Sequence, residues 1–401
     1  MSMLLILFLL AASTSTAFTS IKQSHHHKSI HAVVMGITTS SNSGATTPTI
    51  NEEDHHHNRS IITQPSISAR SEFRNKSILI TGASRGLGRS LALALSSCNP
   101  SLIVLSGRDE IALKRVREEC ASVSERSSRQ GRGRSVEKTT TKVEIVVCDL
   151  ANRASVEQLA EASLNLARNQ HNSHSSKGDA AAAADVDNSG TIDILINNGG
   201  ISSRSSFLET SIDVDERLMQ VNFFSGVALA KKLVPSMIAM DRGTSSSSTA
   251  IGGEKKKRRI IWISSIQGKL GTPYRSSYAA SKFAIQGYCE SLRSELSSSN
   301  VDVHIVSPGY IRTNLSQSAV MGDGRSYSKT DETTANGAHP DMVAVDILNN
   351  VARGNADFLV AATLSAKIAI WLRFMLPSLL NRLLVTRFEK QRIVVLKEKN
   401  E

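Results

Sequence analysis

Aromatic residues make up only 4% of the 401-residue chain. A nucleic-acid surface interleaves basic side chains with stacking rings, so this scarcity argues against that class of function. Cysteines are also few. Cys98, Cys120, Cys148 and Cys289 show neither paired nor metal-ligating spacing, which excludes a disulfide framework and a zinc motif. Three fall in core-like strands or helices, where a thiol packs as a small apolar group. The opening apolar run, Met3 to Ala12, is shorter than the roughly 20 residues that cross a bilayer core comfortably. The histidine runs His25–His27 and His55–His57 lie in polar segments with no folding signal, and no metal site is assigned to them.

Positive charge is plentiful, at a formal +11. The excess concentrates in residues 121–142, 241–259 and 361–401, and the remainder is close to neutral. The basic balance therefore belongs to loops and the tail. Residues 121–142, 169–190 and 241–259 read as insertions in surface loops, where extra length adds little closure entropy. Lys255 to Arg259 has the composition of a nuclear signal, but a solvated loop explains it as well. One domain with decorated loops is expected over 73–365.

The chemistry sits in two elements. Thr81-Gly82-Ala83-Ser84-Arg85-Gly86-Leu87-Gly88 lies between an apolar strand candidate, 77–80, and a helix candidate, 86–96. There Gly82 permits a tight turn, Gly86 lets the backbone approach a pyrophosphate, and Gly88 allows close helix packing. The helix N-terminus offers free N–H groups and a positive dipole to phosphates. The second strand, 102–105, ends in Gly107 and Arg108, where NAD binders usually place an acid. Arg85 and Arg108 instead suit the 2′-phosphate of NADP(H), with Asp109 as the alternative ribose acid.

The second element is Ser265-x12-Tyr278-x3-Lys282. Tyr278 and Lys282 share one helical face, and an adjacent ammonium is expected to lower the phenol's pKa toward working pH. Ser265 follows the apolar run Ile260 to Ser264 and should emerge at a strand's carboxyl end. Tyr-x3-Lys alone arises by chance on solvated helices. Behind a glycine turn and with a correctly spaced serine, it predicts hydride exchange between a nicotinamide and a carbonyl or alcohol.

These motifs, with Ser307-Pro-Gly309 and Asn197-Asn-Gly-Gly200, resemble the short-chain dehydrogenase/reductase superfamily over about residues 74–365. The stretches 264–269, 273–278, 307–315, 323–327 and 333–337 are similar to one lipid-metabolising subgroup of it. The resemblance implies a single-domain, Rossmann-type doubly wound parallel sheet. It implies catalytic roles for Ser265, Tyr278, Lys282 and Asn222, the last holding a water that links Lys282 to solvent. It implies cofactor contacts for Thr81, Gly82, Ser84, Arg85, Gly86, Leu87, Gly88, Arg108, Asp149, Leu150, Asn198, Gly199, Tyr278, Lys282, Pro308, Gly309, Ile311 and Thr313. Gly199 departs from the usual alanine. Bland alternatives stay open: Asn222 bonding a backbone, Asp149 capping a helix, and 307–309 forming a plain turn.

Strands are expected at 77–80, 102–105, 143–147, 192–196, 260–264, 303–307 and 357–361, with helices near 86–96, 214–240 and 276–297. The helices near 217–240 and 276–297 imply a homodimer or homotetramer by family analogy. The substrate is expected to be a lipophilic ketone or alcohol. Acyl- or alkyl-dihydroxyacetone phosphate is one candidate, with Arg312 and Arg325 offered for the phosphate. Steroids, retinoids and 3-ketosphinganine are others. A non-catalytic NADP-binding regulator is the rival of another class.

The two ends carry separate signals. Residues 1–17 read as a signal peptide or anchor, and 18–72 as a disordered presequence or linker. Together they resemble a two-part plastid presequence, or else an endoplasmic reticulum membrane anchor. Residues 366–401 read as a basic amphipathic helix and tail. Its apolar stripe from Leu364 to Leu384, with only basic charges and a break at Pro377, suits a membrane surface or a helix packed over the substrate mouth or the dimer partner.

Overall fold

Seven short apolar runs form seven strands of a single parallel sheet. The strands are β1 (Ser77–Thr81), β2 (Leu102–Gly107), β3 (Lys142–Val147), β4 (Ile194–Asn197), β5 (Arg258–Ile263), β6 (Val301–Pro308) and β7 (Asp357–Val360). Their order is β3-β2-β1-β4-β5-β6-β7, and every pairing is parallel. The computed structural model describes residues 64–130, 141–175, 190–243, 257–329 and 331–400. The expected signal or anchor, most of the presequence, the histidine runs and the centres of the three loop insertions lie outside these residues.

Continuous apolar runs are what a parallel strand buried on both faces requires. Alternate residues feed two cores. On one face Ile78, Ile80, Ile103, Leu105, Ile194 and Ile196 pack against α1 (Ile67–Phe73), α2 (Gly86–Ser96), α3 (Glu110–Gln130) and α9 (Pro340–Ala352). On the other, Leu79, Val104, Leu195, Trp262 and Ile305 meet α4 (Arg153–Ser175), α6 (Ser225–Gly243) and α7 (Ser276–Glu295). All four cysteines are buried and free.

Three expectations need correction. Residues 121–142 and 169–190 were read as loop insertions, yet α3 runs to Gln130 with Val123 in the core, and α4 runs to Ser175. A linker was expected as far as residue 72, yet Ser66 caps α1 through the Ala69 N–H at 3.2 Å, and Ala69 and Phe73 are fully buried in the core. The folded unit therefore starts before residue 73. The basic run was read as solvated through Arg259. Arg258 and Arg259 instead open β5 with buried side chains, near Asp193 and against Glu72 respectively. Buried, paired guanidiniums leave that part of the run unavailable as a nuclear signal or nucleic-acid face.

The remaining helices are α5 (Ile212–Met219), followed by a π-turn over Gln220–Phe224 that leads into α6, then α8 (Glu332–Ala335), α10 (Leu364–Met375) and α11 (Pro377–Asn400). Thr363 caps α10 through the Ala366 N–H, and Pro377 opens α11 where a helix interior would not tolerate it. Among the described residues, no helix is long and apolar enough to cross a membrane.

The strand order reverses between β1 and β4, and parallel sheets bind ligands at the carboxyl ends beside such a reversal. Because Phe73 anchors α1 to the core, Phe73→Ala should lower stability by about 3–5 kcal/mol, read as a shift in the denaturant midpoint. A change under about 1 kcal/mol would return α1 to the linker.

Candidate active site

The glycine turn leaves β1 and enters α2 with bare backbone facing the carboxyl edge. Gly82 sits at φ 66°, a left-handed conformation glycine adopts without strain. A Cβ on Gly88 would lie 2.1 Å from the Gly82 carbonyl oxygen, so α2 docks on the turn only because residue 88 has no side chain. The Asn198 amide clamps the turn, donating to the carbonyls of Thr81 at 2.9 Å and Gly82 at 3.1 Å.

One cavity runs from this turn to helix α7, which carries Tyr278 and Lys282. Every residue expected to contact the cofactor lines it except Thr81. Thr81 is buried behind the wall, where its Oγ1 accepts from the N–H groups of Asn198 and Gly199 at 3.1 and 3.0 Å. It braces two strand ends rather than facing a ligand. Gly199 also has a local reason: a Cβ there would lie 2.4 Å from Leu150 Cδ1. The Leu150 side chain takes the space alanine would need.

Arg85 and Arg108 are exposed on the cavity lining. Neither guanidinium has a carboxylate partner among the described residues. Asp109 is outside the lining, and its Oδ1 accepts from the Ala112 N–H at 2.9 Å as the cap of α3. Asp149 lines the cavity, and its Oδ1 accepts from the Ala151 N–H at 3.1 Å. That bond closes a turn; the cap of α4 is Asn152, whose Oδ1 accepts from the Ser155 N–H at 3.1 Å, so the capping alternative for Asp149 does not hold.

Ser265, Tyr278 and Lys282 converge at the far end. Lys282 Nζ donates to the Ile263 carbonyl at 2.9 Å and lies 5.7 Å from the centre of the Tyr278 ring. Ser265 Oγ accepts from the Gln267 N–H at 3.1 Å. Asn222, in the π-turn, is buried behind the lining. Its amide donates to the Ile201 carbonyl and to Ser281 Oγ, both at 2.9 Å, and accepts from the Ile201 N–H at 2.8 Å. Both amide N–H donors are thus spent on protein groups. The side chain ties the loop after β4 to the residue preceding Lys282, which is the backbone-bonding alternative.

Electrostatics depart from the expected picture. Burial raises the Tyr278 pKa. A hydrogen bond from Ser265 and the charges of Arg275 and Arg204 pull it back without reversing the shift. Burial also pushes the Lys282 pKa down, to about 8. The low-dielectric pocket disfavours both charged forms. The phenol's cationic neighbours here are arginines that the sequence did not single out.

Arg204 and Arg275 line the cavity beside Tyr278, as do Arg217, Tyr310, Ser316 and Ser318. By contrast, Arg312 and Arg325, the arginines expected to meet a phosphate, are not among the lining residues. Arg312 is exposed, and Arg325 pairs with Asp323 at 2.6 Å on the surface. Position in the motif was the available signal for Arg275, three residues before Tyr278. Nothing local marks Arg204.

A parallel sheet with a glycine turn, a switch-point cavity and a Ser/Tyr/Lys set at its end defines a nucleotide-linked oxidoreductase architecture. A family profile described as short chain dehydrogenase matches residues 130–323, and one described as KR domain matches 77–171. "Dehydrogenase/reductase SDR family protein 7-like" of Anopheles gambiae is 38% identical over 317 residues, covering 79% of this chain and 84% of that protein. "Dehydrogenase/reductase SDR family member 7B" of Bos taurus is 36% identical over 324 residues, covering 80% and 84%. The chain belongs to the short-chain dehydrogenase/reductase family, and these relatives come from the subgroup its sequence motifs resemble. Among solved structures, a Burkholderia phymatum short-chain dehydrogenase/reductase in complex with NAD superposes with a TM-score of 0.56 at 20% identity, over 77% of this chain and 96% of that one. A Sphingobium yanoikuyae short-chain dehydrogenase in complex with NADPH gives 0.51 at 22% identity, over 73% and 90%.

The depressed Lys282 pKa has a measurable consequence. The folded value is about 8 against an ordinary 10.5, so between these pH values the unfolded state binds more protons. Stability contributed by this residue therefore rises with pH through that window. Cofactor-free wild type should gain stability relative to Lys282→Met from pH 8 to about 10.5, measured by denaturant unfolding. A gap that stays constant would show that Lys282 keeps an ordinary pKa.

Proposed function

We propose that this chain is an NADP(H)-dependent oxidoreductase that reduces a ketone on a lipophilic substrate, or oxidises the matching secondary alcohol. The observation that carries it is the convergence of Ser265, Tyr278 and Lys282 with the glycine turn in one cavity. Bound there, the nicotinamide cofactor supplies or accepts the hydride. Bare backbone at Gly82, Gly86 and Gly88 fits a pyrophosphate at the N-terminus of α2. Arg85 and Arg108, with Asp109 occupied as a cap, favour a 2′-phosphate over a free ribose hydroxyl.

The chain's own residues handle the proton and the oxygen. Ser265 orients the carbonyl oxygen, and Tyr278 donates its hydroxyl proton to it as carbon accepts hydride. Lys282, fixed by the Ile263 carbonyl, supplies positive charge as the phenolate forms. Asn222 holds the catalytic helix against the loop after β4. The rise in Tyr278 pKa favours a protonated phenol, the form that reduction consumes.

The C-terminal helices support a lipophilic substrate and contact with an anionic membrane surface. Trp371 and Phe374 of α10 are 54% and 69% exposed, and Leu379 and Leu383 of α11 are also exposed. Lys367, Arg382 and Arg387 lie among them, with no acidic residue from Thr363 to Phe388. Phe388 packs on Tyr274 at 5.4 Å between ring centres, which brings this surface to the residue beside Arg275. Acyl- or alkyl-dihydroxyacetone phosphate remains one candidate substrate, with steroids, retinoids and 3-ketosphinganine as rivals.

Tyr278→Phe should lower NADPH-dependent ketone reduction by about 10²- to 10⁴-fold in folded protein. Undiminished turnover would reject Tyr278 as the acid. In the same assay, Arg108→Asp should shift the NADPH/NADH preference by about tenfold or more toward NADH, and an unchanged ratio would reject its 2′-phosphate role. Co-sedimentation with anionic vesicles should fall when Trp371 and Phe374 are both changed to Ser. Equal binding by wild type and variant would remove the membrane contact.

A further inference from the structure

Beside Tyr278, two arginines share one carboxylate. Arg204 donates to Asp331 Oδ2 through Nε at 3.0 Å and Nη2 at 2.5 Å. Arg275 Nη2 reaches the same oxygen at 3.0 Å. The side chains are 9%, 16% and 17% exposed for Arg204, Arg275 and Asp331. The cluster therefore carries a surplus positive charge in a nearly enclosed place. Burial raises the Asp331 pKa, but hydrogen bonding and charge from Arg204, then Arg275, outweigh it and leave the carboxyl below its ordinary range. The pair is thus charge-compensated only once at working pH.

The two guanidiniums are not equivalent. Arg204 also donates through Nη1 to Ser202 Oγ at 2.7 Å and to the Ser203 carbonyl at 2.8 Å, so most of its donors are spent. For Arg275, the bond to Asp331 is the one side-chain hydrogen bond it makes among the described residues. A guanidinium has five N–H donors, so most of those on Arg275 have no protein partner among the described residues, and the residue lines the cavity. Burial, then the like charge of Arg204, depresses the Arg275 pKa, and a ligand anion would relieve both effects. The backbone pays for this placement: Tyr274, immediately before, adopts φ 61°, a strained conformation for an aromatic residue. That turn sends the Tyr274 ring to Phe388 while Arg275 lines the cavity three residues from Tyr278.

We propose that Arg275, backed by Arg204 and held by Asp331, forms an anion-recognition subsite beside Tyr278, and that the ketone reduced here carries a phosphate or carboxylate group within its reach. The proposal rests on the reductase reading and adds to it the residues that select the substrate. A guanidinium fork matches either anion with paired, charge-assisted hydrogen bonds. Asp331 fixes the fork's position and keeps the two like charges together when no ligand is bound.

Kinetics on the full chain at saturating NADPH provide the test, using matched ketones that bear a phosphate, a carboxylate or a neutral hydroxyl. Wild type should favour one of the anionic ketones by about 10- to 100-fold in kcat/KM, mainly through KM. Arg275→Ala should erase that preference, and Arg275→Lys should keep part of it. The preferred arm distinguishes a phosphate monoester from a keto acid. No preference in wild type, or equal loss on charged and neutral ketones in Arg275→Ala, overturns the subsite while leaving the reductase reading intact. A readout independent of turnover is calorimetric titration of glycerol 3-phosphate into NADPH-saturated protein, a pair between which no hydride passes. Wild type should bind at least about tenfold more tightly than Arg275→Ala. Equal or absent binding, together with no preference for the phosphate or carboxylate ketone, rejects the proposal. Turnover of no ketone with either cofactor would instead reject the reductase reading.

Discussion

Burial of the Tyr278 phenol is the constraint on which the rest of the site depends. A phenol in a dry pocket holds its proton more tightly than in water, and the structure adds only partial compensation from Ser265, Arg275 and Arg204. In the proposed reaction the group is thereby set up as a proton donor that needs positive charge nearby to let go. Lys282 is buried in the same pocket and is itself inclined to lose its proton. The two residues form a pair in which neither charge is comfortable until a ligand or a developing alkoxide changes the balance. The surrounding hydrogen bonds, from the Ile263 carbonyl on Lys282 to the Asn222 brace through Ser281, keep that pair in place.

This arrangement also links the fold to the chemistry. The strand order reverses between β1 and β4, so the glycine turn and the Asn198 clamp lie on one side of the cavity and α7 on the other. The residues proposed to hold the cofactor and to donate the proton are thus carried by separate elements, the β1–α2 turn and α7, as a reaction between two bound groups requires. The C-terminal helices pack beside α7, through Arg373 over the Phe283 ring and Phe388 on Tyr274, and present apolar and basic residues outward.

Much of this was legible in the sequence, for identifiable reasons. All seven strands fall within a few residues of their expected positions: central strands such as β1 and β4 are buried and written as apolar runs, and the edge strands β3 and β7, though only partly buried, keep enough apolar residues to be seen. The helices at 86–96 and 276–297 were equally plain, one opened by the glycine turn and the other carrying Tyr278 and Lys282. Helix α3 was not assigned, although Leu113, Val116, Cys120 and Val123 make an apolar stripe, because polar residues fill the rest of its surface. The π-turn at Asn222 has no local signature. The Arg204–Asp331–Arg275 cluster joins three distant segments through a salt bridge, and no pattern along the chain marks such a meeting. The sign of the Tyr278 shift was missed for a related reason: spacing reveals that Lys282 is near, while the burial that raises the pKa belongs to the assembled fold.

The most direct test of this account is an ultraviolet titration of phenol ionisation in cofactor-free wild type and Tyr278→Phe. The account predicts that the phenol lost in the variant is one that ionises above the ordinary value near 10. An ionisation below that value, present in wild type and missing from the variant, would contradict it.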